Sequence, residues 1–218
     1  MSQPRETRFV VMVSGNGSNL QALIDAIEKG ELKASIVLVV SSDPEAYALR
    51  RAERAGIPSI VLQYRRDPKL EKEASRRAYD RMLAETITPY KADYIFLLGW
   101  MRILSAEFTT KFPGGIVNLH PALPGMFPGT HAIERAWDAC ARGEIIESGV
   151  MTHFVPDECV DAGPVIAFER VAMDRTETLD VFEKRMHDTE HLLVPRTAGI
   201  LGSISSGQRK ETEECPRQ

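Results

Sequence analysis

Cysteine is scarce in this sequence, and the little there is excludes two classes of protein. Its 218 residues hold only Cys140, Cys159 and Cys215, an odd and widely separated set. No Cys-x-x-Cys pair and no Cys/His ligand spacing accompanies them, so neither a disulfide framework nor a zinc site is expected. Long apolar runs are also missing. No window approaches the ~18 apolar residues of a membrane span, and the N-terminal "MSQPRETRFVVMVSG" lacks the layout of a signal peptide. Nor is there an excess of positive charge. The formal net charge is −4 and the sequence pI about 5.8, which excludes a global basic field for nucleic acid or anionic membrane. Arginines do cluster locally, at Arg50, Arg51 and Arg54 and again at Arg65, Arg66, Arg76 and Arg77. The acidic residues interleaved with them read as solvated helix faces. There is no Gly-x-Ser-x-Gly elbow and no cysteine beside a plausible base. A cytoplasmic, soluble globular protein without a covalent nucleophile is expected.

What is present is alternation. Apolar stretches at Arg8–Val13, Ser35–Val40, Ser59–Gln63, Asp93–Leu98 and Gly115–Leu119 read as strands, with later ones near Val150–Val155 and Val165–Arg170. Helical patterns lie between them: Ser18–Lys29, Glu45–Ala55, Lys69–Thr86, Ala106–Phe112, His131–Arg142, and Thr178 to about Leu201 with Pro195 as an irregularity. Near-continuous apolar strands alternating with helices predict an α/β, Rossmann-like, mostly parallel twisted sheet with helices on both faces. The last two strands are close enough to pair antiparallel at one side. A single domain is expected over residues 1–203, followed by a polar, disordered tail at 204–218.

The first strand runs into "SGNGSNL" and then a helix. Gly15 and Gly17 permit a tight turn with exposed N–H groups, Ser18 or Asn19 could cap the helix, and the helix dipole faces the loop. Such a loop suits one phosphomonoester, and it could equally be a turn that binds nothing. It is not a Walker A loop, and Leu20 stands where a dinucleotide fingerprint has its third glycine. Asp43, beyond the second strand, is a candidate ribose carboxylate.

"GIVNLHPALPG" ends another strand. Period-2 geometry puts Asn118 and His120 on one face, two donors at a carboxyl end where ligands of open α/β sheets sit. The amide could donate to a developing oxyanion and the imidazole could donate or shuttle protons. A carboxylate should raise the His120 pKa and fix the ring. Asp161 in "CVDAGPVI" is the best candidate, with Asp157 and Glu158 as rivals. His131 and His153 read as structural, although His153 could lie near the site. His187 and His191 have an i, i+4 spacing, but without an accompanying carboxylate pattern no metal is expected.

Together and in this order, "VVMVSGNGSNLQALIDA", "SRRAYDRML", "LLGWMRILS", "IVNLHPALPG", "HFVPDECVDAGPVI" and "MHDTEH" resemble the glycinamide ribonucleotide formyltransferase family, its fungal members above all. The resemblance spans about residues 9 to 191. It implies transfer of the formyl group of 10-formyltetrahydrofolate to glycinamide ribonucleotide in purine biosynthesis. In that reading Asn118, His120 and Asp161 form the catalytic trio, and Gly17, Ser18 and Asn19 hold the ribonucleotide phosphate. Glu190 meets the ribonucleotide. Arg76, Met101, Arg102, Ile103 and Leu104, together with Asn118, contact the folate. It also implies small-molecule substrates, no nucleic acid or membrane partner, no metal, and a monomer or weak homodimer.

Two departures stand out. Eight positions separate His153 from Asp161, one more than is usual in the family, and "LPGMFPG" differs from the commoner loop sequence after the histidine. Three other functions compete. A formyltetrahydrofolate hydrolase would use the same trio on water, but the phosphate loop and the lack of a preceding regulatory domain oppose it. A methionyl-tRNA formyltransferase would carry a further C-terminal domain and a basic surface. A nucleotide-binding module would leave Asn118 and His120 inert.

Overall fold

In the computed structural model, residues 6–213 are described, with side chains described for residues 6–204. Strand β1 (Thr7–Val13) is buried on both faces because its sequence, TRFVVMV, offers an apolar side chain to each. Phe9, Val11 and Val13 pack on helix α1 (Ser18–Glu28) and the last helix, α6 (Leu179–Glu213), through Leu20, Leu23, Phe182 and Met186. Val10 and Met12 point the other way, into a second core with Tyr79, Leu83 and Ile87 of α3 (Lys72–Ile87) and Phe108 of α4 (Ala106–Thr109). This is the period-2 consequence of a strand between two helical layers.

The remaining strands are β2 (Ala34–Ser41), β3 (Ser59–Val61), β4 (Tyr94–Leu97), β5 (Ile116–His120), β6 (Glu147–Phe154) and β7 (Val165–Ala172); α2 (Tyr47–Arg54) and α5 (Ala132–Ala141) complete the main elements. The sheet order is β3-β2-β1-β4-β5-β6-β7. The first five strands are parallel, and β6 pairs antiparallel with both β5 and β7. Strand order reverses between β1 and β4, which opens a crevice at their carboxyl ends. Asn118 and His120 emerge there from β5, two and four residues beyond Ile116, whose side chain lies in the α3–α4 core.

Element positions follow the sequence pattern, and the ends differ. β3 keeps only three residues, and β6 begins at Glu147, earlier than its apolar run. Helix α6 contains Pro195 and runs to Glu213, so it takes in residues 204–213 of the segment expected to be disordered; residues 214–218 lie outside those described.

Candidate active site

Asn118 and His120 share a face of β5, as the period predicts, and Asp161 reaches them from the β6–β7 loop. Asn118 donates from Nδ2 to Asp161 Oδ1 at 2.9 Å. Asp161 Oδ2 accepts the Gly129 N–H at 2.8 Å and lies 3.2 Å from His120 Nδ1. His120 Nε2 faces the Phe127 carbonyl at 3.1 Å. Of the three carboxylates considered, only Asp161 makes these contacts. Asp157 caps a turn inside its own loop through the Cys159 N–H, and Glu158 turns outward to Arg76. Asp161 adopts φ 52, a left-handed conformation that is uncommon outside glycine.

His153, read from sequence as structural though possible near the site, lies beside Asn118 and Asp161. Antiparallel register sets it directly opposite Asn118, the signal that would have found it. Its Nδ1 lies 2.8 Å from the Phe154 carbonyl, which can only accept, so that nitrogen carries the proton when the ring is neutral. Nε2 then accepts the second Asn118 amide hydrogen at 3.2 Å. Both hydrogens of the amide are thus engaged.

The electrostatics correct one expectation. Burial drives the His120 pKa below that of an ordinary histidine; the Asp161 carboxylate pulls upward but does not prevail. Burial pushes Asp161 upward, yet its remaining partners, the Gly129 N–H among them, hold its carboxyl below the usual range. Burial thus favours a neutral imidazole beside the Asp161 carboxylate.

The Gly-rich loop also differs in detail. Gly17, not Ser18 or Asn19, is the N-cap of α1, and no side chain caps the helix. The first helical bond is Gln21 N–H to the Gly17 carbonyl, so the N–H groups ahead of it in the first turn have no helical acceptor. Gly17 has φ 74, and a Cβ there would meet Ala48 Cβ at 2.5 Å. Only glycine fits. Asn19 donates to Glu190 Oε2 at 2.8 Å, while its Oδ1 is buried without a partner. Glu190 is buried and also faces His187 Nδ1 at 3.1 Å. The loop and Glu190, 171 positions apart, thus form one site. Asp43 is exposed and uses one oxygen locally: its Oδ1 accepts the Glu45 N–H in the turn before α2. Arg51, read from sequence as part of a solvated face, instead donates three times to Asn16 and Gln21.

The segment carrying Met101–Leu104 divides. Met101 and Ile103 are exposed, at 73% and 51%. Leu104 is buried in the α3–α4 core, so its side chain is unavailable to a ligand. The Arg102 guanidinium lies 3.8 Å from the centre of the Tyr64 ring, a cation–π contact that turns it toward the protein. Arg76 binds this segment to the Asp161 loop, reaching the Ile103 carbonyl at 3.3 Å and Glu158 Oε2 at 2.5 Å. Glu158 Oε1 accepts the Ala106 N–H at 3.1 Å. A cleft of about 420 Å³ is lined by Pro124, Met126, Met151, Val160, Asp161 and Val165.

Among the described residues there is no group of three or more His, Cys, Asp or Glu placed to hold a metal ion, and no helix long and apolar enough to cross a membrane. Cys140 is buried, Cys159 exposed, and Cys215 outside the described residues.

Residues 7–198 match the family model described as formyl transferase. The phosphoribosylglycinamide formyltransferase of Schizosaccharomyces pombe is 42% identical over 85% of this chain and 92% of its own. That of Dictyostelium discoideum is 44% identical over 88% and 97%. In structure, glycinamide ribonucleotide transformylase 1 from Symbiobacterium toebii superposes with a TM-score of 0.81 at 32% identity, covering 92% of this chain and 90% of that one. The chain belongs to the formyl transferase family, among the phosphoribosylglycinamide formyltransferases.

Proposed function

We propose that this protein transfers the formyl group of 10-formyltetrahydrofolate to the amine of glycinamide ribonucleotide, a step of purine biosynthesis. The observation that carries the reading is the close assembly of Asn118, His120 and Asp161 at the carboxyl ends of the strands, beside an uncapped helix N-terminus. Free first-turn N–H groups suit a phosphate, and the buried Glu190 carboxylate suits sugar hydroxyls. Met101 and Ile103, both large and bare, suit the flat apolar part of a folate, and Arg76 lies close enough to take part.

Chemically, the incoming amine must lose a proton and the formyl oxygen must gain negative charge. His120, neutral by burial, accepts a proton and becomes the imidazolium that Asp161 stabilises. Asn118 exchanges its longer bond, to His153, for the oxyanion. The proton then passes to the folate nitrogen as the carbon–nitrogen bond breaks. No covalent enzyme intermediate is required, in keeping with the missing nucleophile motif.

The test is formyl transfer measured with and without glycinamide ribonucleotide, for wild type and His120→Ala. Turnover that needs the ribonucleotide and collapses in the variant is expected. Deformylation of the folate without the ribonucleotide would replace this reading with a hydrolase, and inactivity in both mixtures would sink it.

A further inference from the structure

Helix α2 forms the floor of the Gly-rich loop. Gly17 rests against Ala48, and the Ala48 N–H donates to the Gly15 carbonyl at 3.2 Å. Arg51, one turn further along α2, commits three donors to the same region. Its Nε reaches the Asn16 carbonyl and its Nη2 the Asn16 Oδ1, each at 2.9 Å, while Nη1 reaches Gln21 Oε1 at 3.1 Å. The Tyr47 ring supports the guanidinium, 4.9 Å from its centroid.

A trans peptide points its C=O and N–H in opposite directions. With the Gly15 and Asn16 carbonyls drawn toward α2, the N–H groups of Asn16 and Gly17 turn to the opposite face, joining the unbonded N–H groups at the start of α1. All three acceptors of Arg51 are neutral oxygens, so none cancels its charge. A full positive charge thus sits behind a loop whose N–H groups face away from it.

We propose that Arg51 is a positioning residue for phosphate recognition, fixing the loop peptides so that their N–H groups converge on the ribonucleotide phosphate and adding an uncompensated positive charge behind them. This rests on the reading of "SGNGSN" as the phosphate loop. Arg51→Met removes both contributions, and Arg51→Lys keeps the charge but loses the fork.

Two measurements decide the matter. Steady-state kinetics should show the KM for glycinamide ribonucleotide raised roughly 10- to 100-fold in Arg51→Met, with kcat and the folate KM within about threefold, because uniform binding is lost. Calorimetry with ribose 5-phosphate should show a matching loss of affinity, with Arg51→Lys intermediate. An unchanged folate KM reports that the variants are folded. If wild type binds ribose 5-phosphate in an Arg51-dependent way without formyl transfer, the proposal stands and the catalytic reading falls. If wild type turns over and Arg51→Met leaves ribonucleotide KM and ribose 5-phosphate affinity unchanged, the proposal falls and the catalytic reading stands. Failure of wild type both to turn over and to bind ribose 5-phosphate would overturn both.

Discussion

At the scale of single residues, the proposed mechanism divides the work between a donor, Asn118, and a proton carrier, His120. Asn118→Ala removes one oxyanion donor, and kcat is expected to fall roughly 100- to 1000-fold with little change in either KM. A kcat within about threefold of wild type would remove Asn118 from the mechanism. His120 should set an acidic limb in the pH profile of kcat/KM, since activity requires the neutral ring. Its pKa lies below the ordinary histidine value of 6.5, so the limb falls below that pH. Asp161→Asn removes the charge that pulls His120 upward. The limb should therefore move further toward acid while the plateau drops, and a limb that stays in place would show that Asp161 does not govern His120. Sequence made Asn118, His120 and Asp161 legible because strand period and loop composition are local properties. It offered His153 only as a residue that could lie near the site, because its part depends on which strand lies opposite, and it did not give the outcome at His120, where burial by surrounding chain outweighs one nearby carboxylate.

At the scale of elements, the Asp161 loop is held in position by its neighbours. Residues 156–160 are all exposed, and Glu158 is the one among them whose side chain reaches out of the loop, to Arg76 on α3 and to the start of α4. Glu158→Ala should lower kcat several-fold through loosened placement of Asp161, while thermal stability barely changes because exposed ion pairs contribute little. Glu158→Gln keeps an acceptor for the Ala106 N–H and should recover part of the loss. Equal kcat in wild type and both variants would show that the bridge is incidental. Helix and strand centres were readable from periodicity, whereas boundaries such as the short β3 and the early start of β6 are settled by partner strands. Helix α2 gives the clearest limit: its charges read as a solvated face, because a sequence does not say that the Gly-rich loop packs across that face.

For the whole molecule, His120 and Asp161 act on stability in the same direction. His120 has a folded pKa below its unfolded one, so its contribution is complete above about pH 6.5 and is lost as pH falls through the lowered value. Asp161, also lowered, contributes above its unfolded value near 4 and loses that contribution as pH falls further. His187, raised by its hydrogen bond to Glu190, works in the opposite sense and loses its contribution as pH rises through its folded value. Urea midpoints taken from pH 7.5 down to 5 should therefore fall less steeply in His120→Asn than in wild type. Parallel curves would mean that His120 does not titrate with unfolding.

The closed base of the β6–β7 loop reaches beyond chemistry. The Phe154 N–H donates to the Pro164 carbonyl at 2.9 Å, and a side chain at Gly163 would collide with the Phe154 carbonyl. The two strands are thus tied together at the base of the loop, and Asn118 stays paired opposite His153 on the neighbouring strand. Asp161 itself adopts a left-handed backbone, which costs on the order of 1 kcal/mol. The acid is thus mounted on a loop tied together at its base, while the amide and the imidazoles ride on the sheet itself.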